Sequence, residues 1–262
     1  MQCKLCLEDK ELQRESHIIP QSMYRQVKGK EGYFHKIKRD TLKEYRSGKS
    51  LREFRTGEYE SDILCATCEK EILNKRYEDY ALKVLQVIDG KLKPFKDIKI
   101  EQYTNRNGMS GKRIININYS KFKLFLLSIL WRASIAKRDL FTQVKLGDNH
   151  EEIIRKMLLD EDPKQPEDYP CFIYDMRKDQ PLLEGWILPP RIQKVSGNIS
   201  YEFMISGLAF SFTISKFARR TSALAGVIDK NNSMIIWEAP EGMGRYYFSE
   251  SMDYLKRRQE TE

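Results

Sequence analysis

Two C-x2-C pairs constrain this chain more than any other feature. Cys3-Lys4-Leu5-Cys6 opens it and Cys65-Ala66-Thr67-Cys68 comes much later, with residues 7–64 between them. Each pair offers two thiolates from one tight turn, and two such knuckles complete a tetrahedral site at about 2.3 Å per zinc–sulfur bond. Cys3, Cys6, Cys65 and Cys68 are therefore read as ligands of a structural Zn2+. The metal has a structural task, because so short an N-terminal segment has little core of its own. The second pair stands just before a helix-like run, so its sulfurs fall at a helix N-terminus, where a thiolate is favoured. Cysteines spaced this way point to a reducing compartment rather than to disulfides, and a cytoplasmic location is expected. The fifth, Cys171, sits in the apolar run Pro170-Cys171-Phe172-Ile173-Tyr174 and reads as a small buried hydrophobe.

Charge adds a partner class. Lysine and arginine number 46 against 38 acids, a net +8, and this excess favours a polyanion, nucleic acid above all. Residues 21–60 carry much of it, with eleven Lys or Arg against six acids and six interleaved aromatics. Arg25, Lys28, Lys30, Lys36, Lys38 and Arg39 are the expected phosphate contacts, and the tyrosines and phenylalanines can stack on unpaired bases. The competing reading is a solvated insertion whose aromatics tuck onto the zinc knuckle. A membrane role is not expected: the longest apolar run, Leu124 to Trp131, stops at Arg132, far short of the roughly 20 residues that span a bilayer. Nor is an N-terminal signal expected, since Cys3 and Lys4 follow the start at once.

Periodicity predicts an α+β chain. Helices are expected over 69–88, with Asp89-Gly90 as the stop, over 120–138 with Ser120 as N-cap, and over 149–159. Residues 105–112 read as a loop. Strands are expected at 171–176, 185–188, 199–205, 208–214 and 233–237, and a short basic helix near 254–258. Two regions result: a zinc-binding region over 1–90 with the basic insertion at 21–60, and a second region over 91–262. The second is a helical segment leading into a mostly antiparallel β part. It carries no G-x4-G-K-[ST] loop and no G-x-S-x-G elbow, and its role, a protein or oligomer interface among them, is left open.

Between the knuckles lies Ser16-His17-Ile18-Ile19-Pro20. The order C-x2-C, H-I-x-P, then L-C-x2-C at a helix start resembles the zinc-stapled HNH endonucleases of the ββα-metal superfamily, over about residues 1–90. The resemblance implies a treble-clef zinc finger with a ββα core, with His17 as the general base. It also implies a divalent Mg2+ or Mn2+, held at the helix start, that offsets charge on the leaving 3′-oxygen of DNA. The chain departs from that pattern at three positions. Ser16 stands where an Asp or His ligand is common, and Asp62 is the nearest polar residue to the usual middle Asn. Glu69 takes the place of the closing His, as a carboxylate able to bind either metal. Each has a plainer reading: a satisfied histidine at His17, a loop residue at Asp62 and a helix-dipole acid at Glu69. Glu78 reads as a solvated helix residue, His35 as exposed and His150 as a helix-start residue. Proteins resembling this one occur with mobile elements and phage defence. The alternative function is a treble-clef module that grips nucleic acid or a protein without cutting.

Overall fold

A computed structural model of the chain describes residues 1–25, 27–28, 31–36, 52–95, 97–195, 197–214 and 231–257. The N-terminal third uses very short strands. β1 (Ser16–His17) pairs antiparallel with β4 (Tyr59–Glu60), and β2 (Phe34–His35) with β3 (Glu53–Phe54). β1 stops after two residues. Ile18 and Ile19 turn into the core, and Pro20 has no N–H to extend a ladder.

After β4 the chain enters one continuous helix with two windings. α1 (Thr67–Glu78) is π-wound and α2 (Asp79–Ile88) is α-wound. It ends where expected, at Asp89 and a left-handed Gly90. α3 (Tyr119–Ile135) lies against α1, α2 and α4 (Asp148–Leu159), and its sequence is buried nearly all round, from Phe122 through Ala133. A helix with no polar face belongs at the centre of a fold. Its N-cap is Asn118, whose Oδ1 accepts the Lys121 N–H at 2.9 Å, rather than Ser120.

The rest is a seven-stranded sheet. Its strands are β5 (Lys99–Thr104), β6 (Ser110–Ile115), β7 (Cys171–Asp175), β8 (Arg191–Val195), β9 (Asn198–Ile205), β10 (Leu208–Ile214) and β11 (Ser233–Glu238), in the order β5-β6-β11-β7-β10-β9-β8. Every neighbouring pair is antiparallel except β11 with β7. Phe203, Phe210 and Phe212 face the helices, while Met204 and Ala209 face a second cluster with Tyr247 of α5 (Met243–Arg257). Alternation along β10 therefore separates two buried faces.

Several elements depart from the sequence expectation. Residues 105–112 form the turn of the β5–β6 hairpin and the start of β6, tightened by Asn105 Oδ1 accepting from the Asn107 and Met109 amides. The strand expected over 185–188 is absent. A single 3-10 turn, Pro181–Gly185, precedes it, and Ile187 makes one isolated bridge to Ile205, because Pro189-Pro190 supply no donors. α5 is far longer than the helix expected near 254–258. Its glycine-rich start is held by Asp179, whose carboxylate accepts the Gly242, Gly244 and Arg245 amides, a cap remote in sequence.

One apolar core joins the two regions expected on either side of residue 90. Cys3, Leu5 and Ile18 belong to the same cluster as Phe125, Phe210 and Ile236. Among the described residues, no helix is long and apolar enough to cross a membrane.

Candidate functional site

The four paired cysteines converge. Their sulfurs all lie within 4.8 Å of one another, and Cys3, Cys65 and Cys68 are buried. Cys3 and Cys6 sit on an N-terminal turn in which Leu7 adopts a left-handed φ of 62° and its N–H bonds the Cys3 carbonyl. Residues 62–65 run alongside, tied by Lys4 N–H to the Ile63 carbonyl at 2.8 Å and by Cys65 N–H to Cys3 Sγ at 3.3 Å. Cys68 is in the first turn of α1. The Cys68 thiol bonds Cys3, which draws the Cys3 thiol down to about 4 and pushes Cys68 strongly up. Four clustered thiols within this distance could hold a metal ion, and the set is consistent with a structural zinc. Cys171 stands apart. Burial pushes its thiol up to about 12, as suits an inert core residue.

Beside this centre a cleft of about 370 Å³ opens between β1, the turn after it and the α1–α2 helix. His17 lines it as the last residue of β1, opposite Tyr59 in the ladder. The Ile18 N–H bonds the Glu58 carbonyl, and the buried Ile18 and Ile19 anchor the chain just beyond the histidine. Gln21 and Ser22 line the rim, from the turn that Pro20 starts.

The helix wall depends on its winding. At 3.6 residues per turn, Glu69 and Glu78 would point roughly 180° apart. At the about 4.4 residues per turn of a π-helix, their directions differ by only about 15°, and Asn74 lies on the same side, about 50° from Glu69. The winding is visible in the Asp79 N–H, which bonds the Asn74 carbonyl five residues back. Burial follows the same count, through Cys68, Ile72 and Tyr77. Glu69, Asn74 and Glu78 consequently line one cleft. The expectation of Glu78 as a solvated residue is corrected here: it is 9% exposed and paired with Arg132. Neither Asn74 nor Glu78 is visible as a site residue when α spacing is assumed.

Four buried side-chain atoms around this cleft have no hydrogen-bond partner: Ser16 Oγ, His17 Nε2, Ser22 Oγ and Glu69 Oε2. Buried polar atoms are usually paired, so four together can meet water, a solute or an ion entering the cleft. Burial lowers the His17 pKa, and the Arg132 charge adds to this against the opposing Glu15 and Glu78. A neutral imidazole is thereby favoured. Burial raises the Glu69 carboxyl, opposed by Arg132 and by the nearby Ser16 hydroxyl, which lies close without completing a bond.

Arg132, on α3, is the site residue that no sequence pattern singles out. Its side chain is 1% exposed. Its Nη1 donates to the His17 carbonyl at 2.7 Å, its Nη2 to Glu78 Oε1 at 2.7 Å, and its Nε to the Ser128 carbonyl at 3.2 Å. Nothing local marks it, because an arginine ending an apolar helical run looks like an ordinary boundary.

Asp62 is not part of the cleft. It is exposed, has a left-handed φ of 58°, and lines a separate hollow with Asp9, Lys10 and Arg14. Of the expected phosphate contacts, Arg25 is exposed on the cleft rim and Lys28 is close enough to act on the charge of His17. Lys36 pairs with Glu58 at 2.9 Å and covers the Phe54 ring. Lys30, Lys38 and Arg39 lie outside the described residues. The described aromatics of this segment are already occupied. Tyr24 and Phe34 are buried, Arg55 covers Tyr33, and Lys36 and Arg52 cover Phe54. His35 is exposed, and His150 Nδ1 meets the Tyr169 hydroxyl at 2.8 Å.

Among the described residues, the four cysteines are the group of three or more His, Cys, Asp or Glu close enough to share an ion. Compared with protein-family models, curated proteins and solved structures, the chain matches none.

Proposed function

We propose that this chain is a zinc-stapled HNH-like endonuclease that hydrolyses DNA phosphodiester bonds at the His17 cleft. One observation carries the reading: His17 Nε2 and Glu69 Oε2 are buried, unpartnered and lining the same cleft, beside a four-thiol centre. The β1–β4 ladder followed by the α1–α2 helix supports a ββα arrangement, with one knuckle on a turn and the other at the helix start supporting a treble clef. His17, kept neutral by burial, takes a proton from water at Nε2 as that water attacks phosphorus. Glu69 and the Asn74 amide offer oxygens for a divalent Mg2+ or Mn2+, with phosphate and water completing its shell. Bound there, the ion supplies positive charge for the departing 3′-oxygen. Arg25 and Lys28 lie where the backbone of a bound strand would approach.

A second reading, a treble-clef module that binds without cutting, is favoured by one feature. Arg132 already neutralises Glu78, so of the two buried acids on the helix wall only Glu69, among the described residues, is left to meet a metal in the cleft.

Incubation of supercoiled plasmid with the purified protein and Mg2+ or Mn2+ separates the two. Nicking by the parent and loss of nicking in His17→Ala, at equal zinc content, is the expected result. Equal DNA retention by both proteins with no cutting under either metal rejects the nuclease and leaves the binding module.

A further inference from the structure

We infer that Arg132 is a positioning residue for His17: from α3 it fixes the backbone and the electrostatic setting of the histidine, so the cleft is complete only when the second region is docked. The role in turnover rests on the nuclease reading; the positioning itself does not. Three observations carry the inference. The guanidinium is buried at the inner wall of the cleft, with its donors turned to protein acceptors rather than to the surface. Its two terminal nitrogens separate their work, Nη1 to the His17 carbonyl and Nη2 to Glu78, both at 2.7 Å. Its remaining donors are anchored on its own helix by Ser128, through the carbonyl and the hydroxyl, both at 3.2 Å.

That geometry suits arginine and no other side chain. A planar fork can hold two acceptors at fixed angles, whereas a lysine ammonium is a single point charge on a flexible stem. Held by its carbonyl from α3 and by the buried Ile18 and Ile19 beyond it, His17 has little backbone freedom. The charged groups that act on its ring come from every side: Glu15 from its own segment, Lys28 from the basic segment, Glu78 from the π-helix and Arg132 from α3. Glu69 lines the same cleft, and the Tyr59 ring of β4 stands 6.1 Å away, centroid to centroid. Among the described residues, Arg132 alone touches both the backbone of His17 and one of the opposing acids.

The test compares the parent with Arg132→Lys and Arg132→Met by NMR titration of 15N-labelled histidine, with His35 and His150 as internal references. With the cation removed and Glu78 no longer neutralised, the His17 titration in Arg132→Met moves upward by about one pH unit. Arg132→Lys moves it less, because charge is kept while the fork is lost. The acid limb of nicking shifts with it, and nicking falls about tenfold or more while DNA retention stays within about twofold. A His17 titration in Arg132→Met that superimposes on that of the parent overturns the inference. Should Arg132→Met lose zinc or helical content, Arg132→Gln keeps a donor for the His17 carbonyl while removing the charge, and the same upward shift of His17 is expected. An upward shift of His17 in a protein that never cuts DNA supports the positioning role and rejects the nuclease alone.

Discussion

Replacing Arg155 with methionine tests how far the four-cysteine centre depends on helices remote from it in sequence. Arg155 projects from α4 and is 8% exposed, and its Nη1 donates to the Leu5 carbonyl at 2.5 Å, between the two thiols of the first knuckle. Its other nitrogens hold Glu152 in a two-point pair at 2.7 and 2.9 Å. These two contacts differ in worth. The Glu152 side chain is 44% exposed, so its pair is screened by water and adds little. The Leu5 carbonyl belongs to a fully buried residue, and a buried hydrogen bond to a charged donor is worth about 1.5–3 kcal/mol. Methionine refills most of the volume left by the stem, so a loss of about 2–3 kcal/mol is expected, a large part of the roughly 5–15 kcal/mol that stabilises a typical domain. The guanidinium also faces the Cys6 sulfur, so zinc should leave more readily. Urea unfolding followed by circular dichroism gives the first quantity, and competition with a chromogenic chelator gives the second. Arg155→Lys should recover part of each, and Glu152→Gln should change neither much. An unfolding free energy within about 0.5 kcal/mol of the parent, with zinc released at the same rate, would refute the argument that Leu5 needs this donor.

Two further outcomes follow from single contacts. A Cβ at Gly57 would stand 2.3 Å from the Tyr24 ring, which is buried and bonds the Glu58 amide through its hydroxyl, so Gly57→Ala should cost about 1–3 kcal/mol in thermal or urea unfolding. An unchanged transition would mean that Tyr24 can move freely. Lys123 is buried on α3 and donates to the Tyr119 hydroxyl and the Gln165 carbonyl, and burial lowers its amine to about 8. Between about 8 and 10.5 the unfolded chain binds this proton more than the folded one, so stability should rise with pH across that window by up to about 3 kcal/mol. Below about 8 the whole penalty persists. Lys123→Met should therefore show its largest gain over the parent near neutral pH and lose it towards pH 10; a pH-independent difference would show that the amine does not titrate there.

The helices and the pairing of the four cysteines are legible in the sequence because each rests on local chemistry. The Asp89-Gly90 stop, the amphipathic run after the second knuckle and the apolar run of α3 are patterns of neighbours three or four residues apart. β5, by contrast, is an edge strand of mostly exposed Lys99, Glu101 and Gln102, with no alternation to betray it. α5 was cut short in the sequence reading because its start contains glycines, and the Asp179 carboxylate that caps it comes from far back in the chain. Glu78 was misread for a geometric reason. Nine residues along an α-helix reverse direction, while nine along a π-helix nearly restore it.

By itself the sequence determined the four sulfurs, the order of the helices, the α+β class and His17 as the residue to watch. These follow from short spacings and side-chain chemistry, which no distant contact needs to complete. Tertiary structure alone decided which groups share a cleft. Asp62, three residues before Cys65, turns away on a left-handed backbone, while Glu78 and Arg132, separated by more than fifty positions, meet at 2.7 Å. Burial then does the rest. His17 Nε2 and Glu69 Oε2 are buried by the packing of α3 and the helix wall around the cleft, and that partial enclosure shifts the pKa of each.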